Sequence, residues 1–100
     1  MIRAFSFNLG SVGYFQLWTQ LQGITGFFPA NVQVPDTCTQ ITIAASVAAI
    51  NISDSNNANV GGMPMGIGTK VTFQSTGRSI GLKEIYISGN GAGVSGIIVY

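Results

Sequence analysis

Residues 50–100, INISDSNNANVGGMPMGIGTKVTFQSTGRSIGLKEIYISGNGAGVSGIIVY, decide the fold. Short runs rich in β-branched and aromatic side chains (Ile50-Asn51-Ile52, Val71-Thr72-Phe73, Ile85-Tyr86-Ile87, Ile97-Ile98-Val99) alternate with Gly, Asn, Ser and Pro. Side chains of the first kind pack well on a pleated, half-buried surface, and residues of the second kind supply turns. The alternation predicts consecutive antiparallel strands, hence an all-β chain forming a small antiparallel β-sandwich or barrel. At 100 residues the chain makes one domain, so residues 1–100 are read as a single β domain.

Within this stretch, Asp54-Ser55-Asn56-Asn57 is a polar turn cluster, and residues 60–68 read as a glycine-rich loop. A strand is expected over 69–74, with Val71 and Phe73 on one face, followed by a turn at Ser75-Thr76-Gly77. Residues 82–88 alternate as Leu82, Glu84, Tyr86 and Ser88 against Lys83, Ile85 and Ile87, which predicts one continuous strand. Gly89 to Gly93 reads as a hairpin loop into a terminal strand from Val94 to Tyr100, whose apolar end should be sewn into a sheet.

Upstream, Thr39 to Ala44 and Ile50 to Ser53 read as strands with a break near Ala45-Ser46. Residues 1–9 alternate, with Arg3, Phe5 and Phe7 on one face and Ile2, Ala4 and Ser6 on the other, until Gly10. Ser11 to Gln20 carries aromatics on both faces and reads as a strand covered on both sides. Residues 22–35 contain Gly23, Gly26, Pro29 and Pro35, and predict an irregular excursion or edge segment.

Seven of the ten aromatics (Phe5, Phe7, Tyr14, Phe15, Trp18, Phe27, Phe28) fall in the first 28 residues. Two readings are open. The rings fill one end of the core, or residues 1–35 form an aromatic-rich part that contributes to an intersubunit surface, since aromatics concentrate at interface centres. On the second reading the interface residues are Phe5, Tyr14, Trp18, Phe27 and Phe28.

Charge narrows the functional classes. Only 7% of residues are charged, against about 25% in an ordinary soluble domain. The net charge is +1 and no basic cluster is present, so no nucleic-acid partner is expected. Either Ser, Thr, Asn and Gln keep a neutral monomer soluble, or copies of the chain or a partner cover much of its surface. The most apolar window, 41–52, is too short to span a bilayer, so no membrane partner is expected. No signal peptide is recognised at the N-terminus, where Arg3 precedes Phe5-Ser6-Phe7-Asn8 without an apolar run, so synthesis in a cytoplasm is expected.

The inventory for chemistry is short. There is no His, which removes Ser-His-Asp and Cys-His nucleophilic systems and the commonest zinc ligand. Cys38 is the only cysteine; without a base or a neighbouring cation it reads as a small apolar residue. Asp54 and Glu84 could be neighbours across strands, but they read more simply as a turn residue and a solvent-facing strand residue. The Asp54 cluster fails the calcium-loop pattern at its fifth, sixth and twelfth positions, Ala58, Asn59 and Met65. The glycines of 61–68 lack the spacing of a phosphate loop. No cofactor or metal is expected, and the chain is not expected to be an enzyme.

Three segments together resemble small virion proteins of tailed bacteriophages: Gly62-Met63-Pro64-Met65-Gly66-Ile67-Gly68, then Leu82-Lys83-Glu84-Ile85-Tyr86-Ile87, then Gly91-Ala92-Gly93-Val94. The resemblance covers residues 50–100 and is one of strand and turn order. It implies a jelly-roll-like sandwich located in the virion and acting as a capsid decoration (cement) protein. Its partners would be the major capsid protein and copies of itself. A homotrimer is expected on grounds of closed symmetry alone. The alternative is a tail or spike component in which loops 54–68 and 89–93 read a host receptor or glycan.

Overall fold

The structure is a computed structural model that describes residues 2–10, 13–24, 36–54 and 62–100. The chain is a ribbon folded in half and then curled. Its first half supplies β1 (Ile2–Asn8), β2 (Tyr14–Gln16), β3 (Thr37–Cys38), β4 (Gln40–Ser46) and β5 (Ile50–Ser53). Its second half supplies β6 (Met63–Met65), β7 (Lys70–Gln74), β8 (Ile80–Gly81), β9 (Tyr86–Ser88) and β10 (Gly93–Val99). Each strand of the first half pairs antiparallel with its counterpart in the second: β5 with β6, β4 with β7, β3 with β8, β2 with β9 and β1 with β10.

Curling the ribbon adds two more antiparallel pairings, β10 with β4 and β9 with β5. Two four-stranded sheets result, in the orders β1-β10-β4-β7 and β2-β9-β5-β6, with the β3–β8 pair beside them. This is the strand order of a jelly roll. The fold is therefore all-β and antiparallel, an open sandwich and not a closed barrel. The apolar terminal strand is sewn in, because β10 lies between β1 and β4.

Period-two alternation builds the core. On the first sheet Phe5, Ile41, Ile43, Ala45, Val94 and Ile98 point inward; on the second, Ile50, Ile52, Met65 and Ile87 do. All belong to one buried cluster, and each large aliphatic side chain in it contributes about 1.5–3 kcal/mol on leaving water. Gly96 faces inward between Val94 and Ile98, opposite Phe5 on β1 and Ile43 on β4. A Cβ built there would overlap the Thr42 carbonyl oxygen and lie 2.9 Å from Phe5 Cζ. Two strands and an aromatic ring thus close over a position with no side chain, and Phe5 stacks on Phe7 with centroids 6.0 Å apart.

Five local expectations need correction. The strand expected over 11–20 is the short β2 followed by helix α1 (Leu17–Gln22). Leu17 and Leu21 are one helical turn apart and both fully buried, so an i,i+4 apolar pair overrides the two-sided strand pattern. The strand expected over 82–88 begins with a 3-10 turn, Leu82–Glu84. Three residues per turn bring Leu82 to the same side as Ile85, and both are buried. The glycine-rich loop contains β6, an edge strand in which Pro64 is tolerated. Gly89 to Gly93 is not a hairpin, since β9 and β10 lie in different sheets; the loop crosses the sandwich and turns at Gly91, φ +75°.

The break expected near Ala45-Ser46 falls one to two residues later. β4 continues to Ser46, and the chain crosses to the second sheet through a γ-turn in which Ala48 N–H donates to the Ser46 carbonyl at 2.8 Å. Its central residue, Val47, has φ 71°, a conformation unfavourable for a β-branched side chain.

Candidate interaction surfaces

Strand direction sorts the molecule into two ends. β1, β4, β6 and β9 finish at one end, where β2, β5, β7 and β10 start. At the other end β2, β5, β7 and β10 finish and β1, β4, β6 and β9 start. All seven charged side chains fall on described residues, and six of them sit at this second end: Arg3, Asp36, Asp54, Arg78, Lys83 and Glu84. The exception is Lys70, which opens β7. The second end is neutral, with three acids and three bases.

Both outer sheet faces are consequently almost free of charge. On the first sheet the outward rows across β1, β10, β4 and β7 are Ile2-Val99-Gln40-Gln74, Ala4-Ile97-Thr42-Thr72 and Ser6-Ser95-Ala44-Lys70. Ile2 is 70% exposed and Ile97 47%. The Thr42 and Thr72 hydroxyls bond each other at 2.9 Å. On the second sheet the outward residues are Tyr14, Gln16, Tyr86, Ser88, Asn51, Ser53 and Pro64, none of them charged.

A cleft of about 230 Å³ opens at the charged end between the sheets. Ile52, Ile85, Phe73 and Met63 line it together with Ser53, Asp54 and Glu84. It reaches the core, because Ile52 and Ile85 keep 7% and 8% of their surface exposed. Asp54 and Glu84, possible neighbours on the sequence, are indeed brought to one site. Among the described residues, no three Cys, Asp or Glu side chains converge as metal ligands would. No described helix is long and apolar enough to cross a membrane.

The five aromatic residues expected at an interface have different fates. Phe5 is 5% exposed and belongs to the chain's own core, so it has almost no surface left for a partner; inward alternation on β1 put it there. Tyr14 is half-buried on the outer face of the second sheet, its hydroxyl 3.0 Å from where a Cβ on Gly62 would stand. Trp18 is half-buried on α1, packed against the core. Lys83 Nζ lies 4.4 Å from its ring centroid and 3.6 Å from Asp36 Oδ2. That ion pair is about half exposed and stabilises by less than about 1 kcal/mol. Phe27 and Phe28 lie outside the described residues.

The 3-10 turn and the residue after it are tied by hydrogen bonds to the β2–α1 junction and to Asp36. Leu17 N–H donates to the Ile85 carbonyl at 2.8 Å, Leu82 N–H to the Asp36 carbonyl at 2.7 Å, and Gln16 Nε2 to the Lys83 carbonyl at 3.1 Å. Cys38 is buried on β3. Desolvation pushes its thiol up to about 11, against a smaller lowering by the Gln40 backbone. It is a buried hydrophobe, as its isolation in the sequence implied.

Sequence reasoning missed the exposed Ile2 and Ile97 and the segregation of charge. Ile97-Ile98-Val99 is a continuous apolar run, the pattern of a strand covered on both faces, and it was the available signal for Ile97. No protein-family model matches the chain, and neither a curated protein nor a solved structure matches it.

Proposed function

We propose that the chain is a structural virion protein, a capsid decoration or cement protein that binds the shell of the major capsid protein and stabilises it. One observation carries this reading: six of seven charges are gathered at one end, and the outer face of the first sheet is left with Lys70 as its one charge, at a corner. A domain meant to remain dispersed spreads its charges. A domain meant to be covered can leave a face of Ile, Ala, Val, Ser and Thr bare. Ile2, Ala4, Ile97 and Val99 form one apolar patch on the β1–β10 side of that face, and Gln40, Thr42, Gln74, Thr72 and Lys70 make its β4–β7 side polar, so a partner laid on it would bury apolar groups with polar groups beside them. The function is mechanical: burial of this face against the shell opposes its disassembly. The jelly-roll order is compatible with this role, but the same fold hosts lectins and enzymes, so the face carries the argument and not the fold.

Cosedimentation with purified particles tests it. The wild-type chain is expected to pellet with the shell in hundreds of copies, and Ile97→Lys, folded as judged by circular dichroism, is expected to remain in the supernatant. Equal binding by Ile97→Lys, or no binding by the wild type, refutes the assignment of this face. A second reading draws on the cleft. Carboxylates at Asp54 and Glu84 beside the Phe73 ring can accept hydrogen bonds from sugar hydroxyls and support their apolar face, as a tail or spike module reading a host glycan would require. A handful of copies per virion, with cell binding lost in Asp54→Asn or Glu84→Gln, would select this reading over cement.

A further inference from the structure

Among the described residues the two large sheets have four edge strands, and three of them are guarded against pairing with another chain. β2 and β6 are each three residues long, and β6 contains Pro64. β7 is five residues long and carries Lys70. β1 is different: it has seven residues, no proline, and the uncharged Ile2, Ala4, Ser6 and Asn8 on its outward face, and its one charge, Arg3, is half-buried on the inward side at the start of the strand. Long, flat, uncharged edges are sites of strand addition unless blocked.

The open side of β1 can be assigned atom by atom. Leu9 N–H donates to the Ala92 carbonyl at 2.8 Å, in phase with the β1–β10 register. Backbone groups alternate sides along an antiparallel strand. Arg3, Phe5 and Phe7 therefore turn theirs toward β10, and Ile2, Ala4, Ser6 and Asn8 turn theirs toward the open edge.

We infer that this edge pairs with the same edge of a second copy, β1 against β1, antiparallel about a two-fold axis at Phe5. This register uses the full strand and lets the outward-directed groups of both copies meet. Ala4 then faces Ser6 of the other copy, Ile2 faces Asn8, and Arg3 faces Phe7. No like charges oppose, and small residues meet small residues on the outer face, as cross-strand pairing favours. The axis stands normal to the sheet, so both copies present the same face on the same side. The product is one eight-stranded surface in the order β7-β4-β10-β1-β1-β10-β4-β7. The pairing stands on β1 alone. It also deepens the shell-binding reading, because it doubles the face assigned there without reorienting it.

Sedimentation of the purified chain, without particles, tests the pairing. The wild type is expected to form a concentration-dependent dimer of twice 10.4 kDa. Ala4→Lys places two lysines in the contact and is expected to weaken dimerisation about ten-fold or more. Ser6→Pro deletes an outward N–H that β10 does not use and is expected to do the same; should it fail to fold, Ala4→Lys stands alone, since Ala4 is exposed. Under mild oxidation a mixture of Ala4→Cys and Ser6→Cys chains is expected to cross-link far more than either alone, with buried Cys38 silent. A wild-type monomer at every soluble concentration, a trimer, or a dimer indifferent to Ala4→Lys overturns the pairing. A monomer that still coats particles refutes the pairing and spares the shell reading, and a β1-paired dimer that ignores them does the reverse.

Discussion

Replacing Gly96 with alanine should destabilise the domain severely. Gly96 lies in the middle of β10, a strand flanked on both sides, where a methyl group would overlap the Thr42 carbonyl oxygen and press on Phe5 Cζ at 2.9 Å. Phe5 can relieve the second contact only by giving up some of the burial that leaves it 5% exposed. No rotamer change relieves the first, because the obstructing atom is backbone; β10 and β4 must move apart, and they share seven paired positions. Overpacking against side chains costs about 1–3 kcal/mol, so backbone overlap with partial loss of a central ladder should cost about 3–4 kcal/mol. A domain of this size is stable by about 5–10 kcal/mol, and each kcal/mol moves Tm by about 4–8 °C. The expected fall is therefore about 12–30 °C, measured by circular dichroism during heating and by urea unfolding. Gly10→Ala is the control: a Cβ there meets nothing within 4 Å, and Tm should hold or rise slightly. If Gly96→Ala stays within about 1 kcal/mol of wild type, the closure of β1, β10 and β4 around that position is wrong.

Three further outcomes are expected. Val47→Gly should stabilise by about 1 kcal/mol, since relief of φ 71° at a residue 78% exposed outweighs the added flexibility of glycine; a fall in Tm would reject the γ-turn geometry. Phe5→Ala should cost about 3–5 kcal/mol of monomer stability, whereas Trp18→Ala, half-buried under Lys83, should cost about 1–2 kcal/mol; equal losses in urea unfolding would reject the distinction between them. Cys38 should resist thiol reagents until the chain unfolds. Its raised pKa means that the associated stability is complete below about pH 9 and is lost as pH rises through about 11, by about 2 kcal/mol. A Cys38→Ala variant showing the same alkaline loss would reject that cause.

The jelly-roll pairing shows where local reading stops. Each of β4, β5, β7 and β10 could be read from alternation, because a half-buried strand imprints period two on its own residues. Residues 17–22 and 82–84 could not. Their apolar residues are spaced ambiguously, and the choice between extended and helical backbone was made by where Leu17, Leu21 and Leu82 find the core. The site behaved similarly. Two-sided apolarity at Ile97 was written in the chain, but the assignment of Phe5 to the core and of Trp18 to a flank of α1 depended on neighbours distant in sequence.

Composition and periodicity by themselves determined that this chain is all-β, sparsely charged and without histidine, because those properties belong to residues one at a time or two apart. Tertiary structure alone decided that the ribbon folds in half, that β9 and β10 part company into different sheets, and that the charges collect at one end. Those outcomes depend on which strand lies beside which, and that is settled by the burial of both inner faces at once. No local window contains that term.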